Sequence, residues 1–290
     1  MERGVNGFSL DRSSGSLWGP PWILALLLLV VVASEGYLRQ LDLTNAWVGW
    51  TPLHYVWACE NEAVFMEKDF LRDVNFHLGN SLAMRIYPVA YRWFGVDPKV
   101  VQDTYVVITS AFYVASLVLL VRILFASVRP ALLVVVPGIA LLTEAANGNL
   151  ARFGQANLDM GQAYGVAVPL QIIVLSLAFG KLWFPAGALL GILACVHPTI
   201  AVVTAVVAGG MALALPDSLR SRGLWMGVGL FLACGFAWAV GAVGLFDGSR
   251  EMMEADRWVQ WQRFTNFHFF PLDRGTLTTD HGRYLTPLLG

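Results

Sequence analysis

Apolar runs close to the length of a membrane-crossing helix recur along this chain, and no other feature restricts its folding as tightly. Residues 20–38, 104–125, 164–180 and 224–246 form four such runs, with a shorter one at 130–142. About 20 apolar residues match the ~30 Å hydrocarbon core of a bilayer. The stretch 183–215 is too long for one crossing, and His197-Pro198 divides it. Proline has no amide hydrogen and its ring collides with the preceding turn, so two short helices are predicted to meet there. The fold class expected is therefore all-α, a polytopic transmembrane helix bundle with about seven crossings. Composition agrees: 57% of the residues are hydrophobic and 13% charged, where soluble domains carry roughly 25% charged residues.

Charge fixes the expected orientation, because Lys and Arg favour cytoplasmic loops. With the N-terminus inside, residues 1–19 are a cytoplasmic tail. The cytoplasmic pieces then hold Arg3, Arg12, Arg122, Arg129, Lys181, Arg220 and Arg222 against Glu2, Asp11 and Asp217, a net of +4. The outer pieces carry -5, within a total of -1. This balance holds only if 183–215 crosses twice. Three polar outer segments result, at 39–103, 143–163 and 247–290. In the first, Leu82, Ile86, Val89, Trp93 and Phe94 repeat at helical spacing opposite Arg85 and Arg92, which predicts an interfacial helix. The stretch Tyr284 to Gly290 reads as the approach to a further apolar helix, so a C-terminally incomplete fragment is expected.

Basic residues are scattered, so no nucleic-acid surface is expected. Cys59, Cys195 and Cys234 are odd in number and lack metal-ligand spacing, so neither a disulfide framework nor a metal site is expected.

Candidate chemistry lies in the outer segments. On one helical face, Glu62, Asp69 and Asp73 would share a surface next to the membrane, where neighbouring acids raise a carboxylate's pKa and suit it to accept a proton. The same pattern fits a solvated acidic face paired with Lys68 and Arg72. His197 is an ionisable group at a helix break, either functional or a kink histidine bonded to a freed carbonyl. Arg263 and His268 could hold a phosphate, with the surrounding aromatics as an apolar wall, although Trp258, Trp261 and the phenylalanines equally suit an interfacial belt. Arg152 lies among Asn147, Asn149, Gln155 and several glycines, in either a ligand-binding loop or a plain connection.

Three stretches resemble a bacterial family of polytopic membrane proteins with the architecture of GT-C glycosyltransferases. They are Ala63 to Phe70, then Gly165 to Leu170 leading through Gly191 to Thr199, then Arg263 to Pro271. Phe269 stands where the family usually has a second His, which weakens a His-pair site for phosphate or metal. The resemblance implies transfer of a sugar from a polyprenyl-phosphate carrier to an acceptor at the outer face of the inner membrane. It implies Asp69 as base with Glu62 or Asp73 assisting, and Arg263, His268 and His197 stabilising the departing lipid phosphate. It names no cofactor, sugar or acceptor. A lipid-carrier or solute transporter and a non-catalytic component of envelope polysaccharide assembly are the competing readings. A transporter should show paired broken helices in related halves, and no internal repeat is visible.

Overall fold

The computed structural model describes residues 20–44, 55–56, 59–60, 77–125, 129–146, 162–215 and 217–241. The chain divides into two compact units, Met1–Val243 and Gly244–Gly290, and all described residues belong to the first. Among them there is no strand. The helices are α1 (Pro20–Thr44), α2 (Ile86–Phe94), α3 (Pro98–Leu124), α4 (Pro130–Ala146), α5 (Tyr164–Phe179), α6 (Trp183–Val196), α7 (Pro198–Ala214) and α8 (Arg222–Gly241), with short 3-10 turns at His77–Asn80 and Ser218–Arg220. By length and composition, α3 and α8 are each able to cross a membrane; the apolar parts of the other long helices are shorter.

Local chemistry sets several of these boundaries. Asp97 opens α3 by accepting the Lys99 amide at 2.7 Å, and Pro98 occupies the first helical position, where its missing N–H costs nothing. Gly95 ends α2 at φ +63°, and the amides of Gly95 and Val96 donate back to the carbonyls of Tyr91 and Ala90. The stretch 81–85 is a turn, so the helix predicted from Leu82 onward begins instead at Ile86. Its apolar stripe is real: Ile86, Val89, Trp93 and Phe94 are all exposed, while Tyr87 and Pro88 face the bundle.

Helix α3 is central. It packs against α1, α4 and α5; α5 in turn packs against α6 and α7, and α6 against α8. One apolar cluster joins Tyr37 of α1, Leu117 and Val121 of α3, and Leu133 and Leu141 of α4. A second joins Tyr105 of α3, Val174 of α5, Leu190 and Leu193 of α6, and Ala201 and Ala212 of α7.

Pairings along the helices show their directions. Tyr105 Oη donates to Gln162 O beside the start of α5, and Gly165 packs on Thr109, so α3 and α5 enter from the same end. Trp183, Ala186 and Leu190 face the same space as Ala205, Ala208 and Gly209, so α7 folds back along α6 from His197-Pro198. The two short helices read from the sequence are therefore a hairpin. Helix α8 runs parallel to α6, with Gly187 against Gly227 and Gly191 beside Cys234. A Cβ on Gly187 would fall onto the Gly227 backbone, so glycine is required for this approach. The seven long helices thus alternate in direction along the chain and leave two poles. One gathers the 3-10 turn His77–Asn80, α2 and the His197-Pro198 tip; the other gathers Lys181, Arg220 and Arg222.

Candidate functional site

The tip of the α6–α7 hairpin poses a hydrogen-bonding problem. In a continuous helix the carbonyls of Ala194 and Val196 would accept from the amides of residues 198 and 200. Pro198 has no amide hydrogen, and the Ile200 amide donates instead to His197 Nδ1 at 3.4 Å. His197 adopts extended backbone angles, φ -152° and ψ 92°, and so acts as the cap of α7. Its own amide donates to Leu193 O at 2.7 Å and its carbonyl accepts from Ala201 at 3.0 Å.

Two carbonyls of the last turn of α6, those of Val196 and Cys195, accept from a segment more than a hundred residues away. Ser81 Oγ donates to Val196 O at 2.6 Å, and the Leu82 amide donates to Cys195 O at 2.9 Å. The same segment is clamped from the α8 side, where Trp238 Nε1 donates to Asn80 O at 2.9 Å. The Arg85 guanidinium lies 4.9 Å above the Trp238 ring, a cation–π arrangement, and Arg85 Nε donates to Gly79 O at 2.7 Å. Tyr55 is buried against Gly79, leaving no room for a Cβ there. Burial pushes the Tyr55 hydroxyl up to about 12, so it stays a neutral hydrogen-bonding group. Arg92 of α2 pairs with Glu60 at 2.6 Å and also donates to Cys59 O at 2.7 Å, tying residues 59–60 to the same pole.

His197 is half-buried, with its ring 4.6 Å from that of Tyr164 and tilted by 50°. Burial lowers its pKa below the usual histidine value. A neutral ring whose Nδ1 accepts carries its proton on Nε2, so His197 offers an N–H donor at this pole. The kink-histidine alternative is thereby modified, since the ring accepts a helix amide where donation to a carbonyl was expected.

His197 is the one sequence-predicted site residue among those described. Glu62, Asp69, Asp73, Arg152, Arg263 and His268 lie outside the described residues. The structure adds Arg85, Ser81 and Trp238. Sequence alone placed Arg85 on the solvent side of an amphipathic helix and gave Ser81 no role; a lone tryptophan near the end of an apolar run was the available hint for Trp238. Among the described residues no group of three His, Cys, Asp or Glu side chains could hold a metal ion, and all three cysteines are free. What the arrangement supplies is a neutral imidazole donor, an aromatic wall and an arginine held against indole, where residues 79–85 meet the helix break. No protein-family model, curated protein or solved structure matches this chain.

Proposed function

We propose that the chain is a polytopic membrane protein that crosses the bilayer seven times with its N-terminus in the cytoplasm, and that it works as a GT-C-like glycosyltransferase of the bacterial inner membrane. The membrane reading is supported by the apolar surface. Leu24 and Val32 of α1, Val206 and Leu213 of α7, and Met226 and Phe236 of α8 are all at least 58% exposed. Soluble monomers rarely expose contiguous apolar patches beyond a few hundred Å². Orientation is supported by the pole holding Arg122, Arg129, Lys181, Arg220 and Arg222 with Asp217, which suits the cytoplasmic side.

One observation carries the catalytic reading: the first outer segment is fastened to the His197 tip through Ser81 and Leu82. In the sequence, Asp73 and Asp69 precede His77 by four and eight residues. Four residues span at most about 14 Å. In this reading the acidic residues act at the pole that carries the Nε2–H donor of His197. Transfer from a lipid phosphate needs a base for the incoming hydroxyl and donors or cations for the leaving phosphate in one desolvated space. Asp69 takes the first role, with Glu62 or Asp73 assisting. Arg263, His268, Arg152 and His197 take the second, His197 as a neutral donor.

The test uses membranes carrying the full chain, offered a panel of polyprenyl-phosphate-linked sugars, with sugar transfer to endogenous acceptors as the readout. Wild-type membranes should transfer from at least one carrier, and Asp69→Asn should lower transfer by roughly 10²- to 10⁴-fold at unchanged protein level. Transfer that survives Asp69→Asn, or its absence with every carrier, overturns the assignment.

A further inference from the structure

Helices α7 and α8 both pack on α6 but leave an apolar groove between them. Its floor includes Ala186 and Leu190 of α6, one wall includes Ala205 and Gly209 of α7, and the other includes Gly227 and Phe231 of α8. The groove holds about 230 Å³ and is partly open to the side. It reaches toward the pole opposite the His197 tip, because Trp183 and Leu224, the first-turn residues of α6 and α8, line it as well. A Cβ on Gly223 would lie 3.6 Å from the Phe184 backbone nitrogen, so the starts of α6 and α8 share that mouth. Lys181 and Arg222 are therefore brought to the groove's end, and both are exposed. Arg220 pairs with Asp217 at 3.3 Å nearby, and Trp225, 60% exposed, donates through Nε1 to Leu219 O. A half-exposed tryptophan beside cations is the usual furniture of the headgroup level.

We infer that this groove binds an anionic phospholipid, with one hydrocarbon chain between α7 and α8 and its phosphate held by Lys181 and Arg222. Two features combine in one place. The groove is apolar along its length, so it suits a chain with no polar atoms, and its mouth is cationic, so it discriminates by headgroup charge. Basic pockets between membrane helices on the cytoplasmic side select anionic headgroups for this reason. The binding rests on the membrane reading above and is independent of sugar transfer.

Adjacent glycines provide a matched test. A side chain added at Gly209 or at Gly210 meets nothing within 4 Å, and only Gly209 lines the groove. Replacing either glycine with leucine favours the helix, so both variants should fold. The full chain is purified in detergent, and retention of dioleoyl phosphatidylglycerol against dioleoyl phosphatidylethanolamine is measured by native mass spectrometry at equal lipid concentration. The wild type and Gly210→Leu should retain phosphatidylglycerol preferentially, and Gly209→Leu should lose that retained lipid. Arg222→Gln should keep lipid but lower the preference about fivefold, the effect of one cation near the surface. Equal retention of both lipids by the wild type, or unchanged phosphatidylglycerol retention in Gly209→Leu, overturns the inference. Resistance of the chain to alkaline extraction from membranes is measured in parallel: loss of insertion indicts the membrane reading, and insertion without lipid preference indicts the groove alone.

Discussion

Removing the Ser81 hydroxyl should loosen the bundle at its polar pole, and the size of the effect follows from what that hydroxyl replaces. At the α6–α7 tip the Ile200 amide is committed to His197 Nδ1, so Val196 O relies on Ser81 Oγ at 2.6 Å. Val196 is buried, with 3% of its surface exposed. Stranding a buried acceptor costs about 1–3 kcal/mol. Because the Leu82 amide still holds Cys195 O and Trp238 still holds Asn80 O, about 1–2 kcal/mol is expected for Ser81→Ala. For a chain of this size that corresponds to a fall in Tm of roughly 2–8 °C. The assay is thermal denaturation of the detergent-solubilised full chain, with hydrogen exchange of peptides covering 77–94 as the local readout. Exchange should rise in that region and stay constant in α3. Trp238→Phe removes the second fastener, and its effect should be non-additive with Ser81→Ala, since both hold one segment. An unchanged Tm together with unchanged exchange over 77–94, or strict additivity of the two substitutions, refutes the fastening.

Gly187→Ala should destabilise by about 1–3 kcal/mol through collision with the Gly227 backbone, whereas Gly210→Ala, with open space around it, should be neutral or slightly stabilising; the two Tm values measured side by side decide this. Burial depresses the His197 pKa, so the folded state disfavours the imidazolium: stability should be flat above the ordinary value of about 6.5 and decline as pH falls below it, a slope that His197→Gln should flatten. In intact cells and in a Cys59→Ser background, an impermeant maleimide should modify Trp93→Cys, whose native side chain is 78% exposed, and should fail to modify Arg220→Cys; labelling at 220 refutes the two-crossing path of 183–215.

The helix break at His197-Pro198 was legible because it is a local event: proline's missing donor acts within one turn. The stripe Ile86, Val89, Trp93 and Phe94 was legible for the same reason, since helical period alone puts these residues on one face. Who satisfies the break was not. Ser81 and Val196 are separated by 115 positions, and nothing in a serine followed by a leucine marks it as a cap for a distant carbonyl. Arg85 went astray through the same limitation. Its charge placed it in solvent, but the guanidinium is weakly hydrated and stacks on the Trp238 indole supplied by α8. Nothing in the sequence distinguishes Gly187 and Gly227 from the chain's other glycines. Their partnership requires knowing that α6 and α8 run parallel with α7 as the return path.

The brevity of α6 has a consequence for the bilayer itself. Fourteen residues rise only about 21 Å, against a hydrocarbon thickness of about 30 Å. In the proposed seven-crossing topology, the Lys181 turn and the His197 tip cannot both reach undistorted interfaces. Hydrophobic mismatch of this kind is relieved by thinning the surrounding lipid. On the tip side, the leaflet would dip to meet His197, forming a shallow depression that water enters from outside. Under the proposed transferase function, a lipid-linked substrate would then present its phosphate below the general plane of the headgroups, and chain length in the host membrane would become a control on access: thin bilayers would favour the site, and thick ones would bury it.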